Sequence, residues 1–163
     1  MPLLRNGKFE RTDIWREGKW LDLWSVVHFL SGVSLGLGMY LLKLGTMSTI
    51  IIVFLLLVAY EMWEAMVKIE ETPQNRFMDV VVGMVSFLPT FLFAAPHLSS
   101  IELMIALGLV LMWNISMAAV GWLESRKADE LERKLRIDLE KRREKFFANR
   151  ERRRAHKINR QHN

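Results

Sequence analysis

The sequence predicts an all-α, polytopic membrane protein: a four-helix transmembrane bundle followed by a long C-terminal cytoplasmic helix. Three observations support this prediction. Hydrophobic residues make up 51% of the 163 residues, and they concentrate in four runs before residue 124. Each run has about 20 residues, the length needed to cross a hydrocarbon core of about 30 Å. After the fourth run, 15 Lys and Arg residues stand against 8 Asp and Glu residues, so the end of the chain is strongly basic.

We divide the chain into three parts: an interfacial segment at residues 1–20, a four-span bundle at 21–123 and a basic cytoplasmic helical tail at 124–163. The first part mixes charged residues with tryptophans, which suits either a segment at the lipid headgroups with one or two helical turns or a solvated, partly frayed terminus. Its charge also argues against a cleavable signal peptide. The chain has no cysteine, which excludes disulfides and thiolate metal sites.

The first apolar run, at about 21–42, predicts a helix with one polar side. Asp22, Ser25 and His28 fall on the same side as Gly32 and Gly36 at 100° per residue. Glycines four residues apart allow another helix backbone to approach closely. We therefore expect this side to face the other helices.

The second and third runs, at about 47–69 and 73–95, meet at a polar connection. Glu61 and Glu64 lie on one face near the end of the second helix. Thr72 can cap the third helix and Pro73 suits its first position. Further along, Pro89 should kink this helix and Pro96 should end it. Polar and small residues recur along one side of the third helix: Asn75, Asp79, Gly83, Ser86 and Thr90.

The fourth run, at about 100–123, begins with a capping box formed by Ser99 and Glu102. Asn114 is the only strongly polar residue in its interior. No Gly or Pro follows Gly121, so we expect one continuous helix through residue 147, with fraying beyond it. The tail contains a narrow apolar stripe that permits a coiled coil: Ala128, Leu131, Leu135, Leu139 and Phe146.

The distribution of basic residues predicts the orientation. Lys and Arg are dense near both ends, and Lys68 and Arg76 flank the central loop, whereas the other two loops contain only Lys43. The positive-inside rule places both termini and the central loop in the cytoplasm. At 1.5 Å per residue, His28 then lies about 10 Å from the cytoplasmic end of its helix.

Four ionisable residues are expected at this common depth: His28, Glu61, Glu64 and Asp79. Charged side chains are costly inside a membrane, so their convergence predicts a polar cluster with a catalytic or binding role. Asn75 and Arg76 would bind the ligand by orienting or neutralising an anionic group. Four interpretations stay open: a divalent metal site, acid–base chemistry on a lipid headgroup or lipid-linked substrate, proton- or ion-coupled transport, and a hydrogen-bond network that fixes helix packing.

The basic tail suggests an alternative function. Its Lys and Arg residues suit an anionic lipid surface or a nucleic acid. The chain would then be a non-enzymatic membrane anchor or assembly factor whose tail binds anionic lipid, RNA or a protein partner. A solvated helix that only enforces the membrane topology is the simplest interpretation of the same residues.

The order of these residues resembles the VanZ-like family of small bacterial integral membrane proteins over residues 22–90. The matching pieces are Asp22, His28-Phe29, Tyr60-Glu61, and Arg76-x-x-Asp79 with Gly83 one turn later. Glu64 stands where the family pattern has Gln, and Val80, Val81 and Val82 stand where it has an Asn. The resemblance implies a compact bundle in the bacterial cytoplasmic (inner) membrane and an association with resistance to teicoplanin-type glycopeptides. We therefore expect a polar pocket near the cytoplasmic face that binds or processes a lipid-type or lipid-linked ligand.

Overall fold

The computed structural model describes residues 3–5, 8–10, 15, 20–66 and 72–161, with side chains described at 15, 20–66 and 72–150. Two compact units are present, residues 13–125 and residues 1–12 with 126–163. Four α-helices are described: α1 Trp24–Leu41, α2 Thr46–Met66, α3 Pro73–Pro89 and α4 Ser100–Gln161. They begin close to the predicted starts, and the predicted end of the second helix, at 67–69, lies outside the described residues.

All four helical segments are long and apolar enough to cross a membrane, the third of them extending from Pro73 to His97. Many of their large apolar side chains point outward and are exposed, for example Phe54 and Leu55 on α2 and Trp113 and Ile115 on α4. Exposed apolar surface on this scale is unusual for a soluble protein and suits contact with lipid. Four helices with the length and apolar composition of membrane spans are therefore present, as the sequence predicts.

The start of the chain differs from its prediction. Strands β1, Leu3–Arg5, and β2, Lys8–Glu10, pair antiparallel with Leu3 opposite Glu10. The suggestion of helical turns is wrong for these residues. Asn6-Gly7 separates the two strands in the sequence, and Asn-Gly is a dipeptide typical of tight hairpin connections.

Helices α1 and α3 pack closely along the glycine side of α1. A Cβ atom on Gly32 would overlap Ser86 Oγ and the carbonyl group of Gly83. One on Gly36 would lie 2.7 Å from the Cβ atom of Thr90. The predicted role of the two α1 glycines is confirmed, because both are needed for α3 to lie this close.

Two groups of buried apolar residues complete the packing of residues 13–125. Val53 and Leu57 of α2 pack with Phe87 and with Phe91, which follows α3. The second group joins α1 to the start of α4 and consists of Leu37, Ala95 and Leu103. These contacts pack α2 and the start of α4 against the α1–α3 pair.

The chain leaves regular α-helix at Pro89, as predicted. A π-helical turn, Thr90–Ala94, and a 3₁₀ turn, Ala95–His97, follow it. Proline lacks the N–H group that would continue the α-helical ladder, and the Thr90 hydroxyl donates to the Ser86 carbonyl at 2.8 Å. The helical segment then ends one residue after Pro96, which confirms the predicted end.

Helix α4 begins at the predicted capping box. The Ser99 N–H donates to Glu102 Oε2 at 2.8 Å, and the Glu102 N–H donates to Ser99 Oγ at 3.4 Å. The helix continues without a break to Gln161, so the expected fraying after residue 147 is wrong. The tail is rich in Arg, Lys and Glu, which have high helix propensity. Two i, i+4 ion pairs support it, Glu132–Arg136 and Asp138–Arg142.

Candidate functional site

The first turn of α1 is capped by Asp22. Its Oδ1 accepts hydrogen bonds from the N–H groups of Trp24 (2.8 Å) and Ser25 (3.2 Å). In return, Ser25 Oγ accepts from the Asp22 N–H at 3.3 Å. This reciprocal cap satisfies backbone donors that α1 cannot pair internally, and it places Ser25 and His28 on the buried side of the helix.

The first turn of α3 is capped in the predicted way. Thr72 has an extended backbone and its Oγ1 accepts from the Asn75 N–H at 3.2 Å, with Pro73 next to it. Asn75 and Asp79 lie one turn apart, so both point to the same side. They are 0% and 1% exposed, respectively.

The two caps are joined by a closed network of hydrogen bonds. Asn75 Nδ2 donates to Asp22 Oδ2 at 3.0 Å and to Asp79 Oδ2 at 3.3 Å. Ser25 Oγ donates to Asp79 Oδ1 at 2.9 Å. The Asp79 carboxylate is therefore held on both oxygens by side chains from α1 and α3. Asp22 and Ser25 were predicted to lie on the inward side of α1 but were not predicted to belong to the site.

His28, Glu61 and Asp79 come from three different helices and lie together, and we call them the His–Glu–Asp cluster. His28 is 9% exposed and Glu61 7% exposed. His28 Nδ1 lies 3.7 Å from Glu61 Oε1, and His28 Nε2 lies 3.9 Å from Asp79 Oδ2. One ligand atom from each residue lies within 4.8 Å of the other two. The cluster thus forms a single buried site, while the chemical roles of its members stay predictions.

Glu64 lies at the border of this site. It is half-buried and accepts a 2.7 Å hydrogen bond from the Tyr60 hydroxyl. The Tyr60 ring in turn meets the His28 ring edge-on, with centroids 5.9 Å apart. Tyr60 is exposed, so a path of polar and aromatic side chains runs from His28 to the outer surface. Glu64 therefore borders the outer end of the site, and it is absent from the group that could hold a metal.

Arg76 is half-buried on α3, directly after the buried Asn75. Successive residues leave a helix 100° apart, so Arg76 points to a different side of α3 than Asn75 does. A further polar pair links α4 to α1, where Asn114 Nδ2 donates to Ser31 Oγ at 2.9 Å. Asn114 contributes no ligand atom to the His–Glu–Asp cluster and provides a matched control for it.

Two carboxylates and one imidazole suit more than one chemistry. They are ligand types for Zn²⁺, Mn²⁺ and Fe²⁺, and they are also common acid and base groups. Comparison of the chain with known protein families, curated proteins and solved structures found no match. The resemblance to the VanZ-like family therefore rests on the residues quoted above, and the function must be argued from the site itself.

Proposed function

We propose that the chain is a VanZ-like multi-pass membrane protein whose His–Glu–Asp cluster binds or processes a lipid-type or lipid-linked ligand with an anionic headgroup. The observation that supports this most is the burial of His28, Glu61 and Asp79 together, although they come from three apolar helices. Ionisable residues in membrane-crossing helices are costly, and they usually mark binding sites, proton paths or substrate paths.

Hydrogen bonds of the network support a binding role. A packing network needs only to satisfy its polar atoms, whereas a binding site also needs its side chains fixed in advance. Asp79 accepts hydrogen bonds from Ser25 and Asn75, and Asn75 also donates to Asp22. The carboxylate is therefore oriented by neighbours that belong to two helices, which favours a preorganised site.

Lipid is the ligand class that the surroundings favour. The site is bordered by Tyr60 and Trp63, both exposed, with ring centroids 6.0 Å apart on α2. Tyr and Trp favour the headgroup level of a bilayer because their rings are apolar and their tips are polar. A headgroup at this level would reach the site past Tyr60 and Glu64.

The orientation follows from charge. We place both termini and the connection between α2 and α3 in the cytoplasm, because Lys and Arg concentrate there. The resemblance to the VanZ-like family implies a bacterial cytoplasmic membrane, and in this orientation the site opens to its inner leaflet. Reporter fusions or accessibility of single engineered cysteines at either terminus would test this orientation.

The ligand proposal is tested by lipid retention. The purified protein is placed in nanodiscs that contain phosphatidylglycerol, transferred to the gas phase, and the lipids that remain bound are counted by native mass spectrometry. Wild type and Asn114→Ala should retain the lipid equally. Asp79→Asn should retain about tenfold less, because it weakens the charge-assisted hydrogen bonds from Ser25 and Asn75 that orient the site, and such bonds contribute about 1.5–3 kcal/mol.

The number of lipids retained by each variant is compared with the amount of that variant in the membrane. Equal retention by wild type and Asp79→Asn would contradict the proposal. A variant that fails to accumulate in the membrane, while Asn114→Ala accumulates normally, would favour a network that serves packing alone.

The alternative function, a membrane anchor or assembly factor, is favoured by one observation on α4. Its residues 141–150 are all exposed, and Arg143 lies over the Phe147 ring at 5.7 Å. A basic, exposed helix of this kind suits a polyanionic partner such as anionic lipid or RNA. A truncation described in the Discussion separates this function from the one proposed for the cluster.

A further inference from the structure

We infer that the His–Glu–Asp cluster binds one divalent transition-metal ion. His28, Glu61 and Asp79 each offer one ligand atom within 4.8 Å of the others. Three protein ligands with one open position are typical of catalytic zinc sites, where the open position takes water or substrate. This inference deepens the proposed function, because the open position would be where an anionic headgroup binds.

The distances inside the cluster fit an ion better than direct hydrogen bonds. The 3.7 Å and 3.9 Å separations between His28 nitrogens and carboxylate oxygens exceed the range of a hydrogen bond. With metal–ligand bonds of about 2.0–2.2 Å, two ligands at the corners of a tetrahedron lie about 3.4 Å apart. Small movements of the side chains would therefore bring their atoms to bonding distance from an ion.

The two nitrogens of His28 face different carboxylates, Nδ1 toward Glu61 and Nε2 toward Asp79. A single ion takes only one of these nitrogens. The carboxylate beside the other nitrogen either turns toward the ion or accepts the remaining N–H as an outer-shell partner. The first arrangement gives the inferred three-ligand site, whereas the second is common at metal-binding histidines and leaves two protein ligands.

Charge supports the same conclusion. With neutral His28 and ionised Glu61 and Asp79, the three residues sum to −2, and a divalent ion brings this sum to zero. Without a cation, two ionised carboxylates in a buried site repel each other, and they also repel a phosphate. The bound metal would remove this repulsion and offer its open coordination position to an anionic headgroup.

The surrounding hydrogen bonds provide the outer shell that such a site needs. Ser25 and Asn75 orient the Asp79 carboxylate, and Asp22 orients Asn75. Loss of an outer-shell partner typically weakens metal binding by about 10–100-fold. Ser25→Ala is therefore expected to weaken binding by this factor although Ser25 is not itself a ligand.

The test is a zinc titration of the full-length, untagged protein after treatment with a chelator, in competition with a chromophoric zinc indicator. Wild type should bind about one equivalent, as a single three-ligand site requires. Glu61→Gln keeps the size of the side chain and should bind at least about 100-fold more weakly, more than the loss of an outer-shell partner would cause. Glu64→Gln is the matched control, one turn further along α2, and should bind like wild type.

Cobalt provides a second, spectroscopic readout of the ligands around the ion. Co²⁺ bound by one nitrogen and two oxygens gives visible absorption bands that should be present in wild type and in Glu64→Gln and absent from Glu61→Gln. His28→Ala should also lose them, and Glu61→Gln keeps the test decisive if His28→Ala does not fold. No zinc binding by wild type, or equal weakening by Glu61→Gln and Glu64→Gln, would overturn the inference.

The two proposals fail separately. If wild type binds no metal but still retains phosphatidylglycerol in a manner that depends on Asp79, the metal inference is wrong and the proposed function stands. If wild type binds zinc through Glu61 but retains no lipid, the metal site stands and the proposed ligand is wrong.

Discussion

Ser25 donates a 2.9 Å hydrogen bond to Asp79, and this bond joins the first turn of α1 to the second turn of α3 across 54 positions of the chain. Both side chains are buried. The same hydroxyl accepts from the Asp22 N–H, so one small residue both caps its own helix and fixes a carboxylate of the neighbouring helix. The geometry of the His–Glu–Asp cluster depends on this residue.

Ser25→Ala should destabilise the protein. The substitution removes one donor from a buried carboxylate, which typically costs about 1–3 kcal/mol. We expect a loss of this size in the free energy of unfolding, measured by reversible unfolding in mixed micelles. Ser116→Ala is the control, because Ser116 is exposed and its hydroxyl donates only to the Met112 carbonyl of its own helix. Equal losses in the two variants would show that the Ser25–Asp79 bond contributes nothing specific.

Gly32→Ala should separate α1 from α3. Its methyl group would overlap Ser86 and Gly83, and extra methyl groups in tight packing typically cost about 1–3 kcal/mol. Gly108→Ala adds the same group on α4, where no atom lies within 4 Å of the added Cβ. It should be neutral or raise stability by up to about 1 kcal/mol through helix propensity. The midpoint of thermal unfolding of both variants in detergent checks this contrast, and a Gly32→Ala protein as stable as wild type would contradict the described packing.

Asn114 and Ser31 should show coupling in a double-mutant cycle. Their hydrogen bond joins α4 to α1, and such bonds in membrane proteins average about 0.6 kcal/mol and reach about 1.7 kcal/mol. Asn114→Ala, Ser31→Ala and the double variant are compared by their free energies of unfolding. Strictly additive losses would show that the two side chains do not interact in the membrane.

Truncation after Lys141 separates the two candidate functions. The truncation deletes residues 142–163, of which 142–150 are exposed, and the cluster residues all lie within residues 13–125. We expect the truncated protein to bind zinc and to retain phosphatidylglycerol like wild type. Loss of a cellular function in the truncated protein, with normal function in Asp79→Asn, would instead favour the basic tail as the working part.

Much of the helical architecture could be predicted from the sequence because each boundary has a local signal. Apolar runs of membrane-crossing length gave the four helices, and Pro73, Pro89 and the Ser99–Glu102 box marked starts and ends. The proximity of His28, Glu61 and Asp79 was also predictable, because the alternating direction of neighbouring helices brings distant residues to one depth. The chemistry of these three residues could not be predicted, since carboxylates and imidazole suit several reactions.

Other features depended on contacts that spacing does not reveal. Glu61 and Glu64 share a face of α2, yet Glu61 is buried and Glu64 is half-buried, because spacing does not show how much of a face a neighbouring helix covers. The sequence placed Asp22 and Ser25 on the polar side of α1. Their hydrogen bonds to α3 could not be predicted, because they depend on how the two helices pack. The strands at Leu3–Arg5 and Lys8–Glu10 had a local signal in Asn6-Gly7, which the abundance of charge obscured.

The most direct test of the central claim is disulfide trapping between α1 and α3 in the membrane. The chain has no cysteine, so Ser25→Cys/Asp79→Cys introduces the only pair of thiols. Mild oxidation of membranes should cross-link this pair, and cleavage of the chain between the two positions should then leave the fragments joined until reductant is added.

Gly108→Cys/Asp79→Cys should stay uncross-linked, because a Cβ at position 108 meets no atom within 4 Å. Efficient cross-linking of the first pair alone is the predicted result. Failure of that pair, or equal cross-linking of both, would show that α1 and α3 do not meet at the site and would contradict the account.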